Sequence, residues 1–231
     1  MKKRILILGS SSFSGSSTIN YLLTKNKYQI FGTYRKKKNH KYLPYKFNIK
    51  SNNFKEYKVD FLKNPSSLIN LIKKLKPEVI IDFASICMVN ESWKNSNIYF
   101  QINVLSKIKM IEYLSSTKFL KKYIYISTPE IFGSSKKYIE EKSETFSPQT
   151  PYATSKLSFE ILLKNFQKNF NFPLIISRFS NFYGPGQPLY RLIPKLIFCI
   201  DNNKKFNLQG DGSSMRNFIF SYDFCSGINK V

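Results

Sequence analysis

Arg4-Ile5-Leu6-Ile7-Leu8-Gly9-Ser10-Ser11-Ser12-Phe13-Ser14-Gly15 decides the fold. The apolar run 5–8 makes a short strand buried on both faces. It stops at Gly9, and a helical stretch follows to about Lys25. A strand, a glycine-rich turn and a helix in that order leave backbone N–H groups and a helix N-terminus facing a diphosphate. Gly9 ends the strand and Gly15 opens the helix. Ser12 stands where a middle glycine is common, and it is small enough to let a pyrophosphate approach.

The alternation continues along the chain. Runs at 28–34, 57–59, 79–83, 123–127 and 174–177 read as further strands, and helical patterns fall at 66–75, 98–114, 152–169 and 192–200. The run 79–83 is expected to be an apolar strand of a parallel sheet. Strands alternating with helices predict an α/β fold with a doubly wound parallel sheet. After about residue 178 the pattern changes. Asn181-Phe182-Tyr183-Gly184-Pro185-Gly186-Gln187-Pro188 reads as a turn-rich loop, and Gly210-Asp211-Gly212 marks another turn. The expected division is a dinucleotide-binding domain over 1–178 and a small second lobe over 179–231.

Composition narrows the function. The 231 residues suffice for one sizeable core, and 42% hydrophobic content argues for a globular chain. No apolar run approaches the roughly 20 residues that cross a bilayer. The run 5–8 after Lys2-Lys3-Arg4 is too short for a signal sequence. A cytoplasmic enzyme without a membrane partner is expected. Cys87, Cys199 and Cys225 form no C-x-x-C pair, and His40 is the only histidine. Neither a disulfide framework nor a zinc site is supported, a histidine metal cluster and a Ser-His-Asp triad are excluded, and no metal is expected. The net charge of +23 raises nucleic-acid binding as a rival. The lysines are scattered among Asn, Ile, Tyr and Phe, however, and read as a solvated surface, so a nucleic-acid partner is not expected.

Two groups of residues carry chemistry. Tyr152 and Lys156 lie four apart in Pro151-Tyr152-Ala153-Thr154-Ser155-Lys156, and one helical turn puts them on the same face. An ammonium beside a phenol is expected to lower its pKa and make Tyr152 a base near neutral pH. Ser127-Thr128-Pro129-Glu130 ends the run at 123–127, at the carboxyl edge where an open α/β sheet binds ligands. It adds a hydroxyl and a carboxylate. The second strand ends in Tyr34-Arg35-Lys36-Lys37-Lys38 with no acid. Arg35 and its neighbours favour NADP over NAD, a choice the residues leave open. Asp60, after the third strand, is placed to meet an adenine amino group or to cap the strand end.

With these motifs in order, the chain resembles the extended short-chain dehydrogenases/reductases of the NAD-dependent epimerase/dehydratase family. The resemblance rests on the turn 9–15, Val59-Asp60, Phe83-Ala84-Ser85, Asn103, Ser127-Thr128-Pro129-Glu130, and Tyr152 with Lys156. It continues through Arg178-Phe179-Ser180-Asn181-Phe182-Tyr183-Gly184-Pro185-Gly186-Gln187, Gly210-Asp211-Gly212, Arg216-Asn217-Phe218-Ile219 and Asp223. It implies a Rossmann-like fold with a C-terminal substrate lobe present only in part, which would leave apolar surface near 219–224. It also implies NAD or NADP, tightly bound and regenerated each turnover. Cofactor contacts are implied for Gly9, Ser12, Phe13, Ser14 and Gly15, and for Arg35, Asp60 and Phe61. Phe83, Ala84, Ser85 and Asn103, with Tyr152 and Lys156, complete that set. A nucleotide-diphosphate sugar is implied at Met88, Asn181, Arg191, Leu192 and Arg216, and a homodimer through helices 98–114 and 152–169.

Within the family, Ile126-Ser127-Thr128-Pro129-Glu130-Ile131-Phe132-Gly133 most resembles the dTDP-glucose 4,6-dehydratases. By that resemblance Tyr152, with Lys156 and Thr128, removes the C4 hydroxyl proton as hydride leaves C4. Glu130 takes the C5 proton as water leaves C6, and hydride returns to C6. Pro129 stands where those enzymes carry an Asp that protonates the leaving hydroxyl, so Glu130 would have to move both protons. Met88 stands where many relatives have His. The alternatives are a 4-epimerase or a decarboxylase on the same scaffold, or a non-catalytic cofactor- or RNA-binding relative.

Overall fold

The computed structural model describes residues 2–36, 43–48, 52–135, 138–179, 181–208, 212 and 215–231. Most of the basic loop 36–41, with His40, and Gly210-Asp211 of the second turn lie outside the described residues. Six strands, β1 (Lys3–Leu8), β2 (Tyr28–Tyr34), β3 (Phe54–Lys58), β4 (Val79–Asp82), β5 (Lys122–Ile126) and β6 (Leu174–Ser177), form one sheet. Their order is β3-β2-β1-β4-β5-β6, and every pairing is parallel. The direction of winding reverses between β1 and β4, which is where such sheets bind ligands.

The helices are α1 (Phe13–Thr24), α2 (Pro65–Leu75), α3 (Val89–Lys94), α4 (Ser96–Phe100), α5 (Ser106–Ser115), α6 (Pro151–Phe170), α7 (Leu192–Asp201) and α8 (Ser221–Lys230). Strand alternation divides the core between them. Leu6 and Leu8 join Ile80, Tyr123 and Tyr125 under Leu68 of α2, Ile111 of α5 and Phe159 of α6. Ile5 and Ile7 join Ile81, Ile124 and Ile126 under Ile19 of α1 and Ile228 of α8. Both faces are covered, as the doubly wound pattern requires. Each fully buried Leu or Ile contributes about 1.5–3 kcal/mol. Helix starts follow local chemistry: Asn64 and Thr150 accept from Ser67 N and Ala153 N, each with a proline next in the chain. Helix α2 stops at Lys76, in the left-handed region at φ 44°, just before Pro77.

The structure differs from the sequence reading in several places. The expected helix 98–114 is broken into α4 and α5 by a π turn at Gln101–Leu105. Inside that turn Asn103 spends its amide on the Ile86 backbone and the Ser155 hydroxyl. Strand β3 covers 54–58 rather than 57–59, because a half-exposed edge strand lacks a continuous apolar run. Helices α3 and α8 were not expected. The loop after residue 180 instead begins with β7 (Asn181–Tyr183), which pairs in parallel with β8 (Phe218–Phe220). Three-residue strands are too short to show a period. Phe224 is buried, and the exposed apolar surface is broader than 219–224, running over Leu189, Tyr190, Ile197 and Ile200 beside α7. Among the described residues no helix is long and apolar enough to cross a membrane.

Candidate active site

The glycine turn has the shape its sequence asks for, and it is tighter than expected. Gly9 sits at φ +84°, and a Cβ there would lie 3.2 Å from Ala84 N. The position therefore needs glycine both for its backbone and for the approach of β4. A Cβ on Gly15 would lie 2.4 Å from Gly9 O. Ser12 is more than a small residue: its hydroxyl donates to Gly9 O at 2.8 Å and accepts from Gly15 N at 3.0 Å, capping α1. Gly15→Ala must push the α1 start off the turn and is expected to cost about 1–3 kcal/mol. Thermal unfolding reads this directly, and an unchanged melting temperature would show that the turn yields freely.

A cavity of about 350 Å³ opens beside this turn at the carboxyl edge of β1, β2 and β4. Gly9, Ser12, Arg35, Asp60 and Phe61 line it on one side, and Phe83, Ala84 and Ser85 on the other. Those expected contacts are thus brought together. Asp60 also accepts from Leu62 N at 3.1 Å and Lys63 N at 3.2 Å, so it caps the strand end as well. Phe13, Ser14, Gly15 and Asn103 do not line the cavity. Phe13 stacks on Phe182 with centroids 4.7 Å apart, and the Asn103 amide is spent as described. Sequence reasoning missed Glu56, which accepts from the Ser10 hydroxyl at 2.7 Å and from Tyr45 at 3.0 Å and so supports the turn from β3.

The second group meets at the carboxyl end of β5. Thr128 accepts from Glu130 N and caps a 3₁₀ turn at Pro129–Phe132. Pro129 is well suited to the first position of that turn, where no N–H is needed. Tyr152, in the first turn of α6, is buried beside the Thr128 hydroxyl, which acts to lower its pKa, and its ring meets Tyr99 edge-on at 6.3 Å. Lys156 is buried one turn on. It donates to Ile126 O at 2.6 Å and lies 4.3 Å over the Tyr125 ring.

The expected activation of Tyr152 by Lys156 is corrected by this arrangement. Burial raises the Tyr152 phenol well above its ordinary value, and Cys87 and Glu130 add to the rise. The Thr128 hydroxyl and Arg191 pull the other way, and Lys156 is not among the largest influences on it. Lys156 is itself brought down to about 7, first by burial and then by the charge of Lys107. A desolvated phenol resists ionisation more than a lysine turned towards a backbone carbonyl can relieve.

The expected substrate residues are scattered. Arg191 lies at the site, its guanidinium 4.0 Å from Cys87 Sγ. Cys87, which acts on Tyr152, was missed in sequence, and its only signal was its place beside Met88. Met88 and Leu192 are exposed. Asn181 donates to Asn217 O, and Arg216 stays at the surface.

A dinucleotide fits these residues. The turn is a cradle that a Cβ would fill, and the Ser127 hydroxyl beside Thr128 is buried with no partner among the described residues. Comparison with known proteins agrees. The model of the NAD dependent epimerase/dehydratase family matches residues 5–231. A dTDP-D-glucose 4,6-dehydratase of Dictyostelium discoideum is 33% identical over 99% of this chain and 55% of its own length. The chain thus spans little more than half of that relative. The crystal structure of the dTDP-glucose 4,6-dehydratase of Bacillus anthracis in complex with NAD is 28% identical, with a TM-score of 0.85 over 98% of this chain and 70% of that one. The UDP-glucuronic acid 4-epimerase of Bacillus cereus, with UDP-glucuronic acid and NAD, is 27% identical at the same TM-score, over 98% and 72%.

Proposed function

We propose that this chain, which belongs to the NAD dependent epimerase/dehydratase family, carries the cofactor site and catalytic residues of a nucleotide-sugar 4,6-dehydratase of the dTDP-glucose type. The observation that carries the reading is Glu130: a half-buried carboxylate on the turn capped by Thr128, near enough to Tyr152 to act on its phenol. Oxidation and re-reduction at one carbon need no such carboxylate. Elimination across C5–C6 does, because a C5 proton must be removed.

NAD, when bound, supplies the hydride acceptor and later the donor. Its diphosphate would rest on Gly9, Ser12 and the α1 N-terminus, with Arg35, Asp60 and Phe61 towards the adenosine end. NAD is proposed rather than the NADP that the basic run suggested, because both solved structures named above hold NAD. Tyr152, with the Thr128 hydroxyl beside it, accepts the C4 hydroxyl proton. Glu130 then takes the proton from C5. Pro129 has none to give, so Glu130 returns that proton to the C6 oxygen, which leaves as water, and as C6 is reduced C5 takes a proton that comes from solvent. The elimination is therefore drawn on one face of the sugar. Arg191 is placed to meet the diphosphate of the substrate, for which a guanidinium fork is suited. Residues 179–231 are proposed as part of the nucleotide-sugar lobe. A homodimer through α5 and α6, and a cytoplasmic location, belong to the same reading.

Glu130→Gln tests this. Loss of water should fall by about 10²-fold or more, while a single turnover still reduces the bound nicotinamide. Unimpaired dehydration would remove Glu130 from the mechanism. The second reading is a 4-epimerase, favoured by Pro129 and by the equal fold likeness to the Bacillus cereus epimerase.

A further inference from the structure

Asp82 and Lys107 are buried, charged and unused by the proposed mechanism. The sequence reading took 79–83 for an apolar strand and passed over Asp82, which is 1% exposed at the end of β4. Lys107 of α5, also 1% exposed, donates to Asp82 Oδ2 at 2.6 Å. Tyr123 donates to the same oxygen at 2.8 Å. The other oxygen, Oδ1, accepts from Ala84 N at 2.9 Å. The carboxylate therefore reaches around the end of its own strand and holds the next turn from behind.

That turn is a wall of the cavity. Phe83 and Ala84 line it, and Ala84 N lies 3.2 Å from the place a Gly9 Cβ would take. A shift of a few tenths of an ångström in the turn would change the width of the cradle. Stability alone does not account for the pair, because buried ion pairs replaced by apolar residues of similar volume often leave a protein as stable or more so. The ammonium of Lys107 also lies 5.9 Å from the ring of Tyr125, whose ring carries Lys156 at 4.3 Å. The pair thus stands directly behind both the cofactor turn and the buried lysine.

We propose that Asp82 and Lys107 are positioning residues for the dinucleotide: Lys107 fixes the Asp82 carboxylate by their ion pair, and Asp82 clamps the Ala84 amide so that the turn after β4 stays closed against Gly9. This rests on the reading that the cavity binds NAD, but not on any reaction.

Two charge-neutral double variants separate a clamp from a merely structural pair. Asp82→Asn with Lys107→Met keeps an acceptor for Ala84 N, and its NAD dissociation constant by calorimetry should stay within about threefold of wild type. Asp82→Leu with Lys107→Met has a similar shape but no acceptor, and should bind NAD about tenfold or more weakly. Equal affinities in the two folded variants would overturn the proposal, as would loss of binding in the Asn variant. Should the Leu variant not fold, hydrogen exchange in the wild-type chain decides. An Ala84 amide that exchanges only with global unfolding supports the clamp, and one that exchanges like an exposed loop refutes it. If wild type itself binds no NAD, the failure lies with the cofactor reading, and the Ala84 exchange still judges the clamp.

Discussion

Tyr152→Phe should abolish oxidation at C4, by about 10³-fold or more, and leave NAD affinity within about twofold. The substitution removes one oxygen from a ring that keeps its edge-on contact with Tyr99. It takes a polar neighbour from Thr128, whose hydroxyl keeps the Glu130 N–H as its donor, so the fold should bear the change. No other phenol replaces the lost one. Tyr99 donates its hydroxyl to Met88 O, and Tyr125 is enclosed in the core behind Lys156. A single-turnover reaction followed by nicotinamide absorbance reads oxidation, and calorimetry reads affinity. Oxidation at the wild-type rate would take Tyr152 out of the mechanism. Because burial raises this phenol, the base should be competent only once the site is filled and Lys156 or the reacting alcohol shares the proton.

Lys156→Met should lose the reaction and gain stability. The ordinary lysine value of 10.5 falls to about 7 in the fold. At about 1.4 kcal/mol per pH unit, keeping the buried ammonium charged below pH 7 costs roughly 5 kcal/mol. Losing the donor to Ile126 O returns about 1–3 kcal/mol of that. The net gain should lift the melting temperature at pH 6 by about 5 °C or more. Between pH 7 and 10.5 the unfolded chain holds this proton and the folded chain has released it, so wild-type stability rises with pH there. The advantage of the variant should therefore shrink as pH rises through that window. Lys107 also lowers the Lys156 value, and Asp82, Cys87 and Glu160 raise it. A variant less stable than wild type at pH 6 would mean that Lys156 is kept for its hydrogen bond more than it suffers from burial.

Much of this was legible in the residues. The run 5–8 with Gly9 and Gly15 specified strand, turn and helix, because an apolar run broken by a glycine and a serine cap has few other solutions. Tyr152 and Lys156 were placed correctly on one helix, and Thr128 and Glu130 on the strand end before it. Their energetics were not legible. Spacing along a helix says which side chains are neighbours, but the pKa of Tyr152 depends on how much water the folded site excludes. Asp82 was misread because one acid inside an apolar run looks like noise until Lys107, 25 positions away, is brought onto it. Glu56 and Cys87 were missed for the same reason, since their partners are distant in sequence. The π turn around Asn103 could not be seen, because the side-chain bonds made from it reach across to Ile86 and Ser155, distant in sequence.

The central claim is elimination across C5–C6 on a nucleotide sugar, and incubation of the full-length protein with dTDP-glucose in D₂O tests it most directly. Mass spectrometry should find a product lighter by one water, with one deuterium taken up from solvent. A product that has kept its water would contradict the account and leave an epimerase in its place.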